Sequence, residues 1–407
     1  MTSLLSMVHY RYRAYPTPGQ EQMLARTFGC ARVVFNDALR ARQDAYAVGE
    51  KVSDKEVQRR VVTLAKTTPE RQWLGEVASV ALVQACQDAR RAYRNWFDSL
   101  SGRRKGRPVG HPRFRSRKKN RQAIRLTRNG FRVSTRGVRV AKVGNIRLKW
   151  SRALPSVPSS VTVIREADGR YYASFVVQVQ DEQLPVSPAD IGVDLGLTRL
   201  ATLSTGEVID NPRYLRRKAR ALARLQRLLA RKVKGSNNRR KAVRRVAVLH
   251  RKVRETRLDG HHKLAARLVR ENQAIYVEDL AVSGLARTRL AKSVHDVGWS
   301  ILVRLIQEKA DRHGRQVVKV SRWYPSSQLC STCGHSDGPK PLNVRTWTCG
   351  SCGAVHDRDV NAARNILVEG RKVAAGQAET RNACGANVRP GHVLAVGCEA
   401  GTHRGAA

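Results

Sequence analysis

Along the first hundred residues, the hydrophobic and polar positions predict one strand followed by helices. An alternating stretch from Val8 to Tyr15 reads as one strand and stops at Pro16. Apolar residues then recur every three or four positions, which predicts amphipathic helices packed as a bundle of about 90 residues. The predicted helices are Gln20 to Ala47, Ser53 to Ala65 and Val77 to Leu100.

From Ala123 to about Val179 the period changes from three or four residues to two. Short apolar–polar alternations are separated by turn sequences such as Asn129-Gly130, Gly144-Asn145 and Asp168-Gly169. This pattern is typical of short antiparallel strands joined by tight turns. It predicts a small antiparallel barrel that the N-terminal strand could complete, with the helical block as an insertion.

A third pattern follows a linker at 184–188. Apolar runs predict buried strands at 191–196, 274–278 and 317–320, with a helix from Val297 to His313 before the last of them. Asn361 to Glu369 predicts one more helix, and little periodicity remains after it. We therefore expect an α/β domain followed by a tail, 371–407, that lacks regular structure.

Charge narrows the choice of partner. The 407 residues contain 77 Lys and Arg against 32 Asp and Glu, a net charge of 77 − 32 = +45, and 41% are hydrophobic, enough for a packed core. Between 211 and 254 stand 18 basic residues and no acid, in two predicted helices hinged at 235–238. Such a charge indicates a polyanion as partner, nucleic acid before an anionic membrane surface. Neither a membrane span nor a signal peptide is expected, so we predict a cytoplasmic protein.

Four of the eight cysteines form a regular pattern. Cys330, Cys333, Cys349 and Cys352 occur as two CxxC pairs, each followed by a glycine, which is the spacing of a zinc site with four thiolate ligands. Four thiolates leave no open position on the metal, so a single structural zinc ion is predicted rather than a catalytic one. Cys30 and Cys86 lie on apolar helical stripes and are expected in the core.

Three acidic residues stand at the ends of predicted elements. Asp194 lies between apolar neighbours in the first of these strands, Glu278 ends the second, and Asp359 precedes the last helix. Carboxylates gathered in a partly buried site need a cation, and two Mg²⁺ ions about 4 Å apart would suit phosphodiester hydrolysis. Taken singly, each acid has a simpler interpretation as a turn residue, an arginine partner or a helix cap. The Val-Asp-Leu-Gly stretch is also compatible with the phosphate-binding hairpin of actin-like ATPases.

The chain resembles the TnpB family of transposon-encoded RNA-guided nucleases, relatives of type V CRISPR effectors such as Cas12. The resemblance extends over nearly the whole chain and includes Gly192-Val193-Asp194-Leu195-Gly196 and Val277-Glu278-Asp279-Leu280. It is densest from Tyr324 to Gly334 and from His356 to Ile366, where CxxC pairs are combined with an Asp-Arg-Asp-x-Asn-Ala-Ala-x-Asn motif.

The resemblance implies a multidomain fold, α/β plus β. A RuvC-like nuclease domain with an RNase H fold would contain an inserted zinc ribbon, and an N-terminal wedge β-barrel would contain an inserted helical recognition bundle. The implied order is a first wedge strand 1–16, helical recognition domain 17–105, wedge barrel 106–186, first part of the nuclease domain 187–323 with a basic helical hairpin 211–270, zinc ribbon 324–354, last part of the nuclease domain 355–370 and tail 371–407.

The resemblance also implies the chemistry. The catalytic, Mg²⁺-binding acids would be Asp194, Glu278 and Asp359, with Asp357 as an alternative third acid. Guide RNA and target DNA would be the partners of a monomeric, nucleoid-associated protein that reads a short motif beside its target. Two alternatives are an RNA-guided DNA-binding repressor that does not cut and a zinc-ribbon DNA-binding accessory of transposition. The residues predicted to contact nucleic acid are Arg103, Arg104, Lys105, Arg107, Arg113, Arg115, Arg216, Arg217, Arg239, Arg240, Arg244 and Arg245.

Overall fold

The computed structural model describes residues 5–118, 120–341 and 343–384, the last eight of these by their backbone only. Contacts divide the chain into two compact units. The first comprises the residues up to Asp181 together with Lys218–Glu255, and the second comprises Glu182–Arg217 and the residues from Thr256 onward. Across the described residues, no helix combines the length and the apolar character that crossing a membrane requires.

Three helices at the start of the first unit surround an apolar core. Thr17 and Gln20 form a reciprocal capping box at the start of the first helix, where Pro18 removes an N–H that would lack a partner. Leu24, Val34 and Leu39 are fully buried, and Cys30 and Cys86 lie in the same core, as predicted. The second helix is shorter than expected, because π-helical and 3₁₀ turns replace it from Arg59 to Thr67. The helices are α1 (Pro18–Ala47), α2 (Asp54–Gln58) and α3 (Ser79–Leu100).

The same unit contains a seven-stranded antiparallel sheet in the order β2-β6-β7-β1-β5-β4-β3. The N-terminal strand pairs with β7 from Leu5↔Gln180 to Ala14↔Tyr171, so it joins the later strands as expected. Tyr12 and Phe175 fill the centre of the buried face. The strands are β1 (Leu5–Tyr15), β2 (Gln122–Thr127), β3 (Phe131–Ser134), β4 (Gly137–Val140), β5 (Gly144–Lys149), β6 (Ser160–Arg165) and β7 (Tyr171–Gln180).

The basic hairpin is divided between the units, which differs from the predicted assignment of 211–270 to the nuclease domain. It consists of α4 (Tyr214–Arg217), α5 (Ala219–Ala230) and α6 (Asn237–Glu271). Residues Lys218–Glu255 belong to the first unit.

A buried ion pair explains this division. Arg251 Nε lies 2.6 Å from the Asp168 carboxylate in the β6–β7 turn, and both side chains are more than nine-tenths buried. Arg244 adds a hydrogen bond to the Asp168 carbonyl oxygen at 2.9 Å. A charge pair that is withdrawn from water in this way holds α6 against the sheet only while both partners are present.

The second unit is an α/β structure around a five-stranded sheet in the order β10-β9-β8-β11-β12. The strands β8, β11 and β12 are parallel, whereas β9 and β10 are antiparallel. Val193, Ile275 and Val277 are fully buried beneath the helices, as expected for the centre of such a sheet. Its elements are β8 (Asp190–Asp194), β9 (Arg199–Leu203), β10 (Val208–Asp210), β11 (Ala274–Glu278), α7 (Val282–Leu285), α8 (Ala291–Val297), α9 (Trp299–His313) and β12 (Gln316–Val320).

The last helix, α10 (Arg358–Cys384), is longer than the predicted one and includes the beginning of the expected tail. It packs directly on the backbone of β8. A Cβ atom at Gly192 would overlap the carbonyl oxygen of Ala363 and approach Leu367 N within 2.8 Å. Gly370 of the helix makes a similarly close approach to the Tyr276 ring on β11. The remainder of the predicted tail, from residue 385, lies outside the described residues.

The cysteine region forms a small ribbon. Strands β13 (Thr346–Thr348) and β14 (Val355–Asp357) are antiparallel, with Trp347 opposite His356. The ribbon therefore extends past the predicted boundary at residue 354, because its second strand leads straight into α10.

Candidate functional site

Three carboxylates line one cavity of about 800 Å³ in the second unit. Asp194 is the last residue of β8 and Glu278 the last of β11, and these parallel neighbours are paired through Val193 and Val277. The carboxyl ends of parallel strands meet at one sheet edge, which is where α/β proteins place their sites. Asp359 joins them from the first turn of α10.

The electrostatics of this cavity favour a cation. Burial raises the pKa of Asp194 to about 7, and the neighbouring carboxylates of Asp359 and Glu278 raise it further. Burial also raises the pKa of Glu278, with Asp279 as a secondary cause. Like charges in a desolvated site disfavour ionisation of one another, and a bound metal ion removes that penalty. The arrangement is therefore suited to a divalent cation.

Asp357 and Asp359 have different surroundings. Asp357 Oδ1 accepts the N–H groups of Asp359 and Val360, each at 3.0 Å, so it caps α10. Burial alone would raise the pKa of Asp357, but the hydrogen bonds from Val360 and Arg199 outweigh it and lower the pKa. Only Asp359 of the two lines the cavity.

Arginines surround the carboxylates. Arg345, from the ribbon, contacts Asp359 at 3.2 Å, and Arg199 on β9 contacts it at 3.4 Å. The sequence interpretation did not include Arg199 or Arg345, because neither stands in a basic run. Arg345 lines the cavity, as do Arg213, Arg216, Arg322 and Arg358, whereas Arg199 does not.

Asp296 is a further acid in the cavity wall that sequence reasoning missed. Its carboxylate accepts the N–H groups of Leu215 and Arg216 at 2.7 and 3.0 Å and is 6% exposed. Both carboxylate oxygens are thus occupied by the start of α4. Asp296 positions the segment that carries Arg216, and no sequence motif marks that role.

The four predicted cysteines are brought together, which confirms their predicted clustering. Their Sγ atoms all lie within 4.8 Å of one another. Cys330 and Cys352 are 3.6 Å apart and Cys333 and Cys349 are 3.7 Å apart. A tetrahedral zinc ion with bonds of about 2.3 Å separates its sulfur ligands by about 3.8 Å, so the cluster is compatible with a zinc site.

His356 packs beside this cluster. Its Nε2 lies 3.0 Å from Cys330 Sγ, and its ring packs against Trp347. Burial opposes ionisation of Cys330, but the N–H groups of Cys333 and Thr332 and the His356 ring outweigh it and lower the pKa of the thiol. A lowered thiol pKa favours the thiolate form that binds metals.

The predicted nucleic-acid contacts separate into two groups. Arg115 stacks on Phe35 at 3.6 Å, and Arg239 closes the hairpin by donating to Leu229 and Lys232, so both have structural partners. Arg244 holds the β6–β7 turn, as described above, and Arg104 is half-buried. The others are exposed on the surface of their own unit, namely Arg103, Lys105, Arg107, Arg113, Arg216, Arg217, Arg240 and Arg245.

Comparison with known proteins shows which family this chain belongs to. A protein of Streptomyces pristinaespiralis, named as a candidate RNA-guided DNA endonuclease, is 44% identical over 386 residues, which cover 94% of this chain and 92% of the relative. InsQ of Escherichia coli K12, named in the same way, is 32% identical over 409 residues, or 95% of this chain and 96% of the relative. The chain belongs to the TnpB family.

Three family descriptions match separate parts of this TnpB protein. Residues 174–289 match the OrfB family of IS605 elements, described as "Probable transposase", and residues 299–366 match the Cas12f1-like TNB domain. Residues 7–51 match a family described as a helix-turn-helix domain, although here they form β1 and one long helix. The matches over 174–289 and 299–366 together include all three carboxylates and all four cysteines.

The fold of this TnpB protein is similar to that of a solved Cas12f1. That structure is a Cas12f1–sgRNA–target DNA complex, with a TM-score of 0.54 and 13% identity, covering 90% of this chain and 99% of the other. At this identity the likeness concerns the fold alone.

Proposed function

We propose that this TnpB protein is an RNA-guided DNA endonuclease of a transposable element that cuts with Asp194, Glu278 and Asp359. The observation that carries the proposal is the convergence of these carboxylates on one arginine-lined cavity. The names of the two relatives that cover most of the chain agree with it.

The carboxylate site is suited to Mg²⁺. Three acids share a cavity in which Asp194 is hard to ionise, and oxygen ligands of this kind are those that Mg²⁺ prefers. Asp194, Glu278 and Asp359 would hold two ions. When bound, Mg²⁺ supplies Lewis-acid activation for hydrolysis of a phosphodiester. The carboxylates would orient the cations, and a bound cation would favour the ionised form of Asp194, whose pKa is raised to about 7.

Arginine side chains supply the second part of the site. Arg216, Arg322 and Arg358 line the same cavity, and guanidinium groups bind phosphate oxygens in pairs. They would hold the DNA backbone on both sides of the phosphate to be cut. Arg199 and Arg345 would exchange their contacts with Asp359 for contacts with phosphate as the site fills.

The fold supports the same function. A five-stranded sheet in which only β9 runs opposite to the other strands, with α10 against its centre, is the arrangement we assign to a RuvC-like domain of RNase H type. We assign the seven-stranded sheet to a wedge β-barrel with α1 to α3 as the inserted recognition bundle. The cysteine ribbon would hold one structural zinc ion and contact target nucleic acid.

The net charge of +45 would attract two polyanions, a guide RNA and a target DNA. Guide and target would select each other by base pairing, while the protein binds backbone and shape. The solved complex of the similar Cas12f1 contains both kinds of partner.

The decisive experiment begins with sequencing of the RNA that copurifies with the protein from its host. The protein–RNA complex is then incubated with matched DNA, with unmatched DNA, and with Mg²⁺ or a chelator. We expect cutting of matched DNA only, and only with Mg²⁺. Asp194→Asn should abolish it, whereas Asp311→Asn, on α9 away from the cavity, should not. Binding of matched DNA without any cutting would instead identify a repressor, and absence of a defined RNA would identify a DNA-binding accessory.

A further inference from the structure

Trp323 leaves 86% of its surface exposed although it stands in the wall of the carboxylate cavity. Tryptophan side chains are normally largely covered, because exposing a large apolar ring to water is unfavourable. The ring contributes nothing to the core of its own unit. Because this exposed indole lies in the wall of the candidate active site, its face is open to a ligand that enters the cavity.

The segment that carries Trp323 is held in place on both sides. Ser321 Oγ accepts the Trp323 N–H at 3.3 Å, and Ser321 O accepts the Tyr324 N–H at 3.0 Å. Arg322 is ion-paired with Asp279, and Tyr324 packs against the small core under α10. The indole is thus presented by an anchored turn, which lowers the entropy lost when a ligand binds to it.

The surroundings of the ring restrict the chemistry of that ligand. Arg322 precedes Trp323, and Arg216 and Arg358 line the same cavity, so the ligand carries negative charge as well as a flat apolar face. A nucleotide has both, in its phosphate and its base. An apolar peptide or a lipid chain would cover the indole but leave the guanidinium groups without anions.

We propose that Trp323 stacks on an unpaired base of the DNA strand that enters this cavity, and thereby positions the adjoining phosphodiester at the carboxylates. The base is unpaired because bases inside a duplex already have both faces covered by their neighbours. This inference rests on the proposed endonuclease function. Within it, Trp323 is a substrate-positioning residue and takes no part in the chemistry.

The test places 2-aminopurine, one position at a time, in the cut strand of the matched DNA. The probe is bound to the protein–RNA complex in an Asp194→Ala background that does not cut. We expect quenched fluorescence at one position near the cut site, lost with Trp323→Ala and retained with Trp323→Phe. In the cutting-competent protein, Trp323→Ala should weaken apparent affinity for the DNA or slow cutting about tenfold, and Trp323→Phe less than about threefold.

The control is Val208→Ala, which removes an exposed apolar side chain of the same unit that does not line the cavity. It should leave fluorescence and cutting unchanged. The proposal would be overturned if the wild-type protein and Trp323→Ala quenched the probe equally. It would also be overturned if Trp323→Phe lost as much affinity or cutting rate as Trp323→Ala. A wild-type protein that never cuts would defeat the endonuclease function instead, and the fluorescence measurement would still decide whether Trp323 stacks on a base.

Discussion

Asn361 joins the start of α10 to the first cysteine turn through Ser331. Its Oδ1 accepts the Ser331 N–H at 2.8 Å, and its amide group donates to Leu329 O at 2.7 Å. The side chain is 1% exposed, so both bonds are shielded from water. Since Asp359 lies one half-turn earlier on the same helix, Asn361 couples the position of that carboxylate to the ribbon.

Replacing Asn361 by alanine is expected to lower the free energy of unfolding by about 1–2 kcal/mol, because the Ser331 N–H loses its partner and Leu329 O keeps only the Asn365 amide. Urea unfolding measures this loss, and cutting should slow as Asp359 becomes less well placed. Arg364→Ala, on the exposed face of the same helix, is the matched control. An Asn361→Ala protein with the wild-type unfolding midpoint would contradict the coupling.

The two neighbouring aspartates should respond differently to the same substitution. Asp359→Asn is expected to slow cutting by more than about a hundredfold, since the proposed site would lose one of its three metal-binding carboxylates. Asp357→Asn should retain most of the activity, because an asparagine oxygen still accepts the two N–H groups that start α10. Rates on matched DNA measure both. The reverse pattern would make Asp357 the third acid.

Zinc content tests the cysteine cluster. Cys349→Ser is expected to lower bound zinc from about one ion per chain to almost none, because Cys349 is one of four converging thiols. Elemental analysis of the purified protein measures this. Cys86→Ser alters a buried thiol in the helical core and should keep its zinc. If both variants retained the metal, the cluster would not be its site.

Acid sensitivity should arise at His261, which is 1% exposed. Burial, followed by the Arg257 charge, lowers the pKa of His261 to about 4 from its usual 6.5. As the pH falls, His261 therefore takes up a proton in the unfolded chain before it does so in the folded protein. The free energy of unfolding accordingly decreases between pH 6.5 and pH 4. The loss should be about 1.4 kcal/mol per pH unit in the middle of this range.

Unfolding midpoints measured from pH 7 to pH 4.5 would test this. His261→Gln should flatten the dependence of stability on pH, whereas His250→Gln, on an exposed position of α6, should leave it unchanged. A wild-type slope that survives in His261→Gln would assign the acid sensitivity to another group.

The ion pair between Arg251 and Asp168 should dominate the attachment of α6 to the sheet. Arg251→Met leaves the 2% exposed Asp168 carboxylate with only the partly exposed Arg170, 3.6 Å away, as a charge partner, and we expect a loss of about 3 kcal/mol in unfolding free energy. Arg245→Met removes an exposed charge from the same helix and should change stability by less than about 0.5 kcal/mol. If the two substitutions lowered the free energy of unfolding equally, the ion pair between Arg251 and Asp168 would contribute no more than an exposed charge.

Local patterns predicted the two elements that matter most for the site. The apolar runs at Asp194 and Glu278 predict buried strands, and the structure shows that these strands are parallel neighbours, which brings their last residues to one edge of the sheet. Likewise, CxxC spacing predicts the clustering of the thiols.

Long-range partners could not be predicted in the same way. Arg251 lies in a basic run in which every arginine looks alike, and only the folded chain selects it for Asp168. Arg345 and Arg199 carry no local signal for their contacts with Asp359. The continuation of α10 past Glu369 was missed because alanine-rich sequence shows little amphipathic period while its intrinsic helix propensity is high.

Gly192 allows the backbones of β8 and α10 to touch, and this contact fixes how far apart Asp194 and Asp359 are held. With no room for even a methyl group between β8 and α10, the strand that ends in Asp194 and the helix that begins beside Asp359 rest on each other atom against atom. If the proposed cation site is correct, adapting it to a larger cation would require changes in both β8 and α10, because backbone atoms of the two elements are in direct contact.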